Sequence, residues 1–355
     1  IIDDAYTITK SIGKGGMASV YLADVDISKV NYSLLYAYTQ VNEDSHAKRI
    51  QLAEELAGSL KDKNLDWKTV RTLLEAQDIP VPPKKVALKL AHKDSKPKRF
   101  QDEWRYLICL NNKNLIKVFG GGEYRGRYYY VMEVMPGIVT KKDIIENFTI
   151  HEKLKVIFGA GKGLSFLHKN KIIHRDIKPS NFMTFRNAKG FMVTKVTDLG
   201  IAKDMDTNPN PKTSKTLLGT PYFMAPEQMY SSDSVDHRAD IYSLGASLYE
   251  FTTGKKPYHQ KTSLREILKT SREKERPLPP EEHVKGFPEK LAGIINCAMA
   301  YNPKDRYAKV DHFLRDLKAF MDSGQKGLHE NQKVTADVSA LLDTSGTFLY
   351  ETKSN

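Results

Sequence analysis

The chain has 355 residues, 40% hydrophobic and 28% charged, which supports a sizeable core and excludes a wholly disordered, collagen-like or low-complexity chain. Its two cysteines, Cys109 and Cys297, exclude a disulfide scaffold and a cysteine-based zinc site, and read as buried thiols of a reducing compartment. The formal charge of +12 favours anionic ligands without choosing among nucleotide, acidic protein and nucleic acid.

Residues 6–12 alternate, a glycine cluster follows, and Val20-Tyr-Leu-Ala23 resumes the alternation. This predicts a β-hairpin with a Gly-rich turn. Residues 26–83 then interrupt the strands. A connection of nearly sixty residues is far beyond the usual hairpin loop, so this segment must fold on its own. Ile50, Ala53 and Leu60 recur at helical spacing, and Trp67, Val70, Leu73 and Leu74 suggest a second helix, stopped by Ile79-Pro-Val-Pro-Pro83. We read a helical insert. It carries 7 Lys and Arg against 9 Asp and Glu, so the basic excess lies elsewhere and a nucleic-acid module is disfavoured.

Residues 85–90 predict a third strand, and Phe100, Trp104, Leu107 and Ile108 share one face of a helix. Two further strands are expected at Leu115–Phe119 and Arg127–Glu133. From about residue 150 the pattern turns helical. Ile157, Ala160, Leu164 and Leu167 share a face, as do Leu244, Leu248 and Phe251, with Gly254 as a stop. The tail from 323 is polar and expected to be flexible.

The turn Ile12-Gly-Lys-Gly-Gly-Met-Ala-Ser-Val20 suits a phosphate loop, since glycines bring backbone N–H groups close to phosphate oxygens. Alone it is a weak signal and reads more readily as a structural hairpin turn. Lys89 lies on an otherwise apolar strand, where it either meets an anion or faces solvent. Glu103 either pairs with it or is one more surface glutamate. His174-Arg-Asp-Ile-Lys-Pro-Ser-Asn181 carries more information. Asp176 can take a proton from a hydroxyl, Lys178 can neutralise a phosphoryl group, and Asn181 can ligate Mg²⁺. Asp198, in Asp198-Leu-Gly200, adds a hard oxygen donor. Ala225-Pro-Glu227 follows.

In the order and spacing of these motifs the chain resembles the eukaryotic-type protein kinase family over residues 6–24 and 84–320, and is closest in flavour to bacterial Ser/Thr kinases. The resemblance implies an α+β, bilobal fold. The small β-rich N-lobe would comprise residues 1–25 and 84–134, with the insert at 26–83. The larger α-helical C-lobe would span 135–322, and the tail 323–355. It implies transfer of the γ-phosphoryl group of ATP to a Ser or Thr hydroxyl of a protein substrate, with Mg²⁺, or Mn²⁺ as a substitute. Lys89 would hold the α- and β-phosphates and Glu103 would orient it. Asp176 would be the catalytic base, Lys178 would contact the γ-phosphate, and Asn181 and Asp198 would ligate metal. Gly13 and Gly15 would approach the phosphates. Ile12, Val20, Ala87 and Met183 would wall the adenine, beside the gatekeeper Met132, with Glu133 C=O and Met135 N–H on the adenine edge.

The same resemblance implies that Thr220 bonds Asp176 and Lys178, as in Ser/Thr kinases. Glu227 and Arg306 would form a buried ion pair, and Asp240 would anchor the catalytic loop. Leu107, Val118, His174 and Leu199 would form an apolar spine, which makes His174 a packed histidine and not a base. Arg175 implies switching by a phosphate on Thr213, Ser214 or Thr216, in a loop that also holds Thr207. The alternatives are a pseudokinase scaffold, which would be expected to lack one of Lys89, Asp176, Asn181 or Asp198, and a small-molecule phosphotransferase of related fold. The insert is open to a partner. No apolar run approaches the ~18 residues of a membrane span. No signal peptide opens the chain, which starts without Met, so the expectation is a cytoplasmic catalytic part, trimmed or drawn from a longer protein. Nucleic acid is not expected as a partner.

Overall fold

The computed structural model describes residues 2, 5–14, 18–26, 83–93, 107, 110–199, 221–229, 235–258, 266–267, 269–270, 273 and 276–323. The insert between residues 26 and 83, the helix around Trp104 and the tail beyond 323 lie outside them. The chain divides into two compact units, Ile1–Met135 and Pro136–Asn355.

The first unit is an antiparallel sheet of β1 (Tyr6–Lys14), β2 (Ala18–Val25), β3 (Lys85–Ala91), β4 (Val118–Tyr124) and β5 (Arg127–Met132), ordered β1-β2-β3-β5-β4. Strand β3 shows how the sequence divides its faces. Val86, Leu88 and Leu90 enter an apolar core with Tyr6, Ala23, Phe119, Tyr129 and Val131. Ala87, Lys89 and Ala91 alternate onto the other face. The register of β2 and β3 runs unbroken from Ala18↔Ala91 to Asp24↔Lys85. Beyond it, the Val25 N–H donates to the Lys84 carbonyl at 2.9 Å, so the ends of the long connection are tied together.

Strand β4 differs from expectation. It starts at Val118, not Leu115, and continues through Gly120, Gly121 and Gly122. Leu115 and Ile116 are buried but lie outside the ladder. Just before β4, the Lys117 N–H donates to the Glu133 carboxylate at 2.7 Å, while the Glu133 N–H donates to the Lys117 carbonyl at 2.9 Å. The glycines are held in the ladder by pairing with Val131, Tyr130 and Tyr129, and Gly122 also lies under the Tyr129 ring. A Cβ on Gly122 would lie 3.1–3.2 Å from that ring and its hydroxyl.

The second unit contains, among the described residues, α1 (Lys141–Asn147), α2 (Ile150–Lys169), the hairpin β6 (Phe182–Arg186) and β7 (Met192–Val196), α3 (Arg238–Thr253), α4 (Glu289–Ala298) and α5 (Val310–Asp322). Helices α1 and α2 both begin with a capping box, Thr140 with Asp143 and Thr149 with Glu152. Every residue of α3 from Ala239 to Thr252 is buried. A helix covered on all sides is a core element, and α2 and α4 pack against this one. Gly254, at φ +71°, ends it in a left-handed turn. An antiparallel sheet followed by a helical unit is the expected α+β arrangement. No helix among the described residues is long and apolar enough to cross a membrane.

Candidate active site

The site in the second unit is built outward from α3. Asp240, in its first turn, is fully buried. Its Oδ1 accepts from the Arg175 N–H at 2.8 Å, and its Oδ2 accepts from the His174 N–H at 2.8 Å. His168 Nε2, at the end of α2, lies 2.8 Å from the same Oδ2. Burial pushes the Asp240 carboxyl up. The hydrogen bond and charge of His168, with the charge and N–H of His174, outweigh this and hold it below its ordinary value. One carboxylate thus fixes two consecutive backbone amides. Arg175, which carries the second of them, sits at φ +62°, a conformation that costs a non-glycine residue about 1–3 kcal/mol and persists only when the surroundings enforce it.

The segment beyond is tied internally. Asp176 Oδ2 accepts from Lys178 Nζ at 2.8 Å. Asn181, which is buried, donates its Nδ2 to the Asp176 carbonyl at 2.8 Å and lies 3.3 Å from Asp176 Oδ2. The Thr197 N–H donates to the Asn181 carbonyl at 3.0 Å, bringing Asp198 beside this cluster. Asp198 is also left-handed, at φ +56°, and the Thr197 hydroxyl lies 3.4 Å from its Oδ1. The register of β6 and β7 places Met183 opposite Lys195 at the cluster's edge.

His174 uses both ring nitrogens inside the protein. The Asp176 N–H donates to Nδ1 at 3.3 Å, which leaves the proton on Nε2, 3.1 Å from the Thr197 carbonyl. Burial lowers its pKa, against the charges of Asp240 and Asp176. It is a neutral structural link between the two acidic segments.

The segment 221–229 is held to this framework. Gln228 accepts from the Ala225 N–H and donates to the Arg175 carbonyl, both at 3.1 Å. Glu227 meets Arg306 in a bidentate pair at 2.6 and 2.7 Å. The remaining Arg306 N–H groups donate to the carbonyls of Ala300, Arg238 and Tyr301. The guanidinium is therefore fully satisfied at zero side-chain exposure. Removing one partner of such a pair costs about 3–5 kcal/mol.

In the first unit, register alone gathers the expected residues. Val20 stands opposite Lys89, and Gly13 opposite Val20. Ala87 stands opposite Met132, and Lys89 opposite Tyr130, whose ring centroid is 5.2 Å from the Lys89 Nζ. Val20, Ala87, Lys89 and Met132 thus share one sheet face. Ile12 is half-buried at a register shift between Ser11 and Gly13. Glu133 and Met135 follow β5, and Met135 is buried. Gly15, Glu103, Thr220, Gly200 and the loop residues Thr207, Thr213, Ser214 and Thr216 lie outside the described residues.

The family model described as protein kinase domain matches residues 69–316, well over half of the chain. The chain belongs to the protein kinase family. The match begins within the long connection, so β1 and β2 lie outside it, although the unbroken register between β2 and β3 puts them in one sheet with the matched β3. Among curated relatives, serine/threonine-protein kinase PknB of Mycobacterium leprae is 32% identical over 259 residues, covering 70% of this chain and 40% of that protein. The PknB of Mycobacterium tuberculosis is 35% identical over 228 residues, 62% of this chain and 35% of that protein. The chain therefore spans about a third to two fifths of the length of these relatives.

Three contributors to this kinase domain escaped the motif reading: His168, Thr197 and Gln228. Each acts through backbone or carboxylate partners, and none sits in a spacing pattern that announces this. His168 carried the one available hint, as a histidine in the last turn of a helix leading to the acidic segment.

Proposed function

We propose that this kinase domain transfers the γ-phosphoryl group of ATP to a Ser or Thr hydroxyl of a protein. The observation that carries the reading is the Asp176–Lys178–Asn181 cluster joined to Asp198 through Thr197. In the proposed reaction the substrate hydroxyl oxygen attacks the γ-phosphorus, the bond to the bridging oxygen breaks, ADP leaves, and the hydroxyl proton passes to Asp176. Lys178, 2.8 Å from Asp176, orients that carboxylate and offers its charge to the phosphoryl oxygens. Lys89 holds the α- and β-phosphates from a sheet face whose Val20, Ala87 and Met132 supply apolar contact for the adenine. Met183 and Ile12 complete that contact, and the Glu133 C=O and Met135 N–H bond the adenine edge. Gly13 and Gly15 admit the phosphates, and Glu103 orients Lys89.

Mg²⁺ fits the donors that are present. Asn181 spends its amide nitrogen on Asp176, which leaves its oxygen as a ligand beside the Asp198 carboxylate. Two hard oxygen donors suit an ion that keeps waters and binds phosphate. Bound there, Mg²⁺ would offset phosphate charge; Mn²⁺ has compatible chemistry.

Preference for Ser or Thr over Tyr rests on Lys178 and on Thr220. The held conformation of Arg175 supports the further reading that a phosphate on Thr213, Ser214 or Thr216 pairs with it. The test is incubation with ATP and Mg²⁺, with phosphosites mapped by mass spectrometry, beside Asp176→Asn and Asp198→Asn chains. Phosphoserine or phosphothreonine on the chain or on a generic basic protein, reduced at least about 100-fold in both variants, is the expected outcome. Nucleotide binding without transfer would favour the scaffold reading, and transfer only to small metabolites the small-molecule one.

A further inference from the structure

The net charge of this chain is concentrated on one stretch. Residues 141–195 carry 12 Lys and Arg against 4 Asp and Glu. Part of that excess serves the catalytic segment. Three of the others fall along one face of α2, where Lys155, Lys162 and Lys169 recur at exposed positions seven residues apart. At 1.5 Å per residue they form a row of about 20 Å. Lys162 lies 4.8 Å from the ring centroid of Phe158, on the same face. Lys169 has a neighbour in Asp311 at 3.6 Å, and Lys155 and Lys162 make no ion pair among the described residues.

The β6–β7 hairpin ends beside the start of this row. Arg186 donates to Glu152, in the first turn of α2, at 2.7 Å, which neutralises that acidic residue and pins the hairpin there. The tip is rigid. Asn187 Oδ1 accepts from the N–H groups of Lys189 and Phe191 at 3.0 and 2.9 Å. The Asn187 N–H donates to the Phe191 carbonyl at 2.9 Å, and Gly190 turns at φ +76°. This framework holds Phe191 at 67% exposure, next to the exposed Lys189.

We propose that α2 and the β6–β7 tip form a docking surface for an anionic lipid bilayer, with the lysines on the headgroups and Phe191 inserted at the interface. Charge complementarity argues for an anionic occupant. The kind of residue argues for a membrane. The row is made of lysines, compact point charges suited to a diffuse negative surface, and lacks the arginine forks that read individual phosphates. An aromatic side chain held out on a rigid turn beside basic residues is the pattern of interfacial anchoring.

The test is co-sedimentation of the full chain with vesicles of phosphatidylcholine alone and with about one third phosphatidylserine. Binding is expected only to the second, and it should fade as ionic strength rises to about 0.5 M. The pair Lys155→Glu and Lys162→Glu should lower the partition about tenfold or more. Phe191→Ser should lower it several-fold while leaving the salt dependence in place. All three residues are surface positions outside the catalytic segment, so melting temperature and autophosphorylation should match the parent. Equal binding to both vesicles, no binding to either, or unchanged partition in both variants would overturn the proposal. Capture by heparin that is indifferent to Phe191→Ser, without vesicle binding, would assign the row to a soluble polyanion instead and would equally overturn it.

Discussion

His174 has zero exposure and both ring nitrogens engaged, so it has no room for a second proton. In the unfolded chain it protonates near its ordinary value of 6.5, and in the folded chain only at lower pH. Below about 6.5 the unfolded state therefore binds the extra proton, and stability falls with pH until the folded pKa is reached. Asp240 acts later in the same direction. Its folded pKa lies below 3.8, so its contribution is complete above that value and is lost as pH falls through the folded pKa. Urea midpoints measured between pH 7.5 and 5.5 should fall in the parent. In His174→Phe they should start lower and fall less, because one of the titrating groups is gone. An identical slope in the variant would show that His174 is not a source of the dependence. The motif residues Asp176, Lys178 and Asn181 were legible in the sequence because their chemistry lies within six consecutive residues. His168 and Gln228 were not, because each binds a group 53 or more positions away and its residue type alone predicts nothing.

Helix α3 was legible as an element from Leu244, Leu248, Phe251 and Gly254. Its close approach to α4 was not. A Cβ on Gly245 would lie 2.7 Å from the Ala298 Cβ and 3.1 Å from the Met299 Cγ. At Gly161 of α2 the contact is shorter, 2.6 Å, but it falls on a terminal methyl of Leu314 that can rotate away. Ala298 has no such freedom, so the helices themselves must separate. Replacing glycine by alanine inside a helix gains about 1 kcal/mol in propensity, and overpacking costs about 1–3 kcal/mol. Gly161→Ala should come out near neutral, whereas Gly245→Ala should destabilise by about 1–2 kcal/mol. Adding Ala298→Gly to Gly245→Ala should restore packing, though it spends the propensity gain. Chemical denaturation of the two single variants and the double variant checks all three. Strand β4 failed for a related reason. The expected strand ended at Phe119, before three glycines that carry no side-chain pattern, and the pairing of Gly120, Gly121 and Gly122 with Val131, Tyr130 and Tyr129 is what continues it.

At the scale of the whole molecule, the connection between β2 and β3 is far longer than a usual hairpin loop, and its ends show how separable it is. Asp24 pairs with Lys85, the Val25 N–H donates to the Lys84 carbonyl at 2.9 Å, and the Asp26 N–H donates to the Ala5 carbonyl at 2.8 Å. The last paired residues are thus already at hairpin distance, and nothing in their register requires a long excursion. An Asn-Gly turn in place of residues 27–82 would join strand ends that are in position. Loop-closure entropy grows by about 0.6 kcal/mol per doubling of length, so this shortening favours the folded sheet by about 3 kcal/mol from closure alone. The shortened chain should therefore melt no lower than the parent and should keep its basal autophosphorylation, since Lys89 and its neighbours on β3 and β5 keep their partners. Loss of folding would show that the connection is built into the first unit. Retained melting with lost activity would show that it acts on the catalytic residues directly, and retention of both would confine its role to what the protein binds.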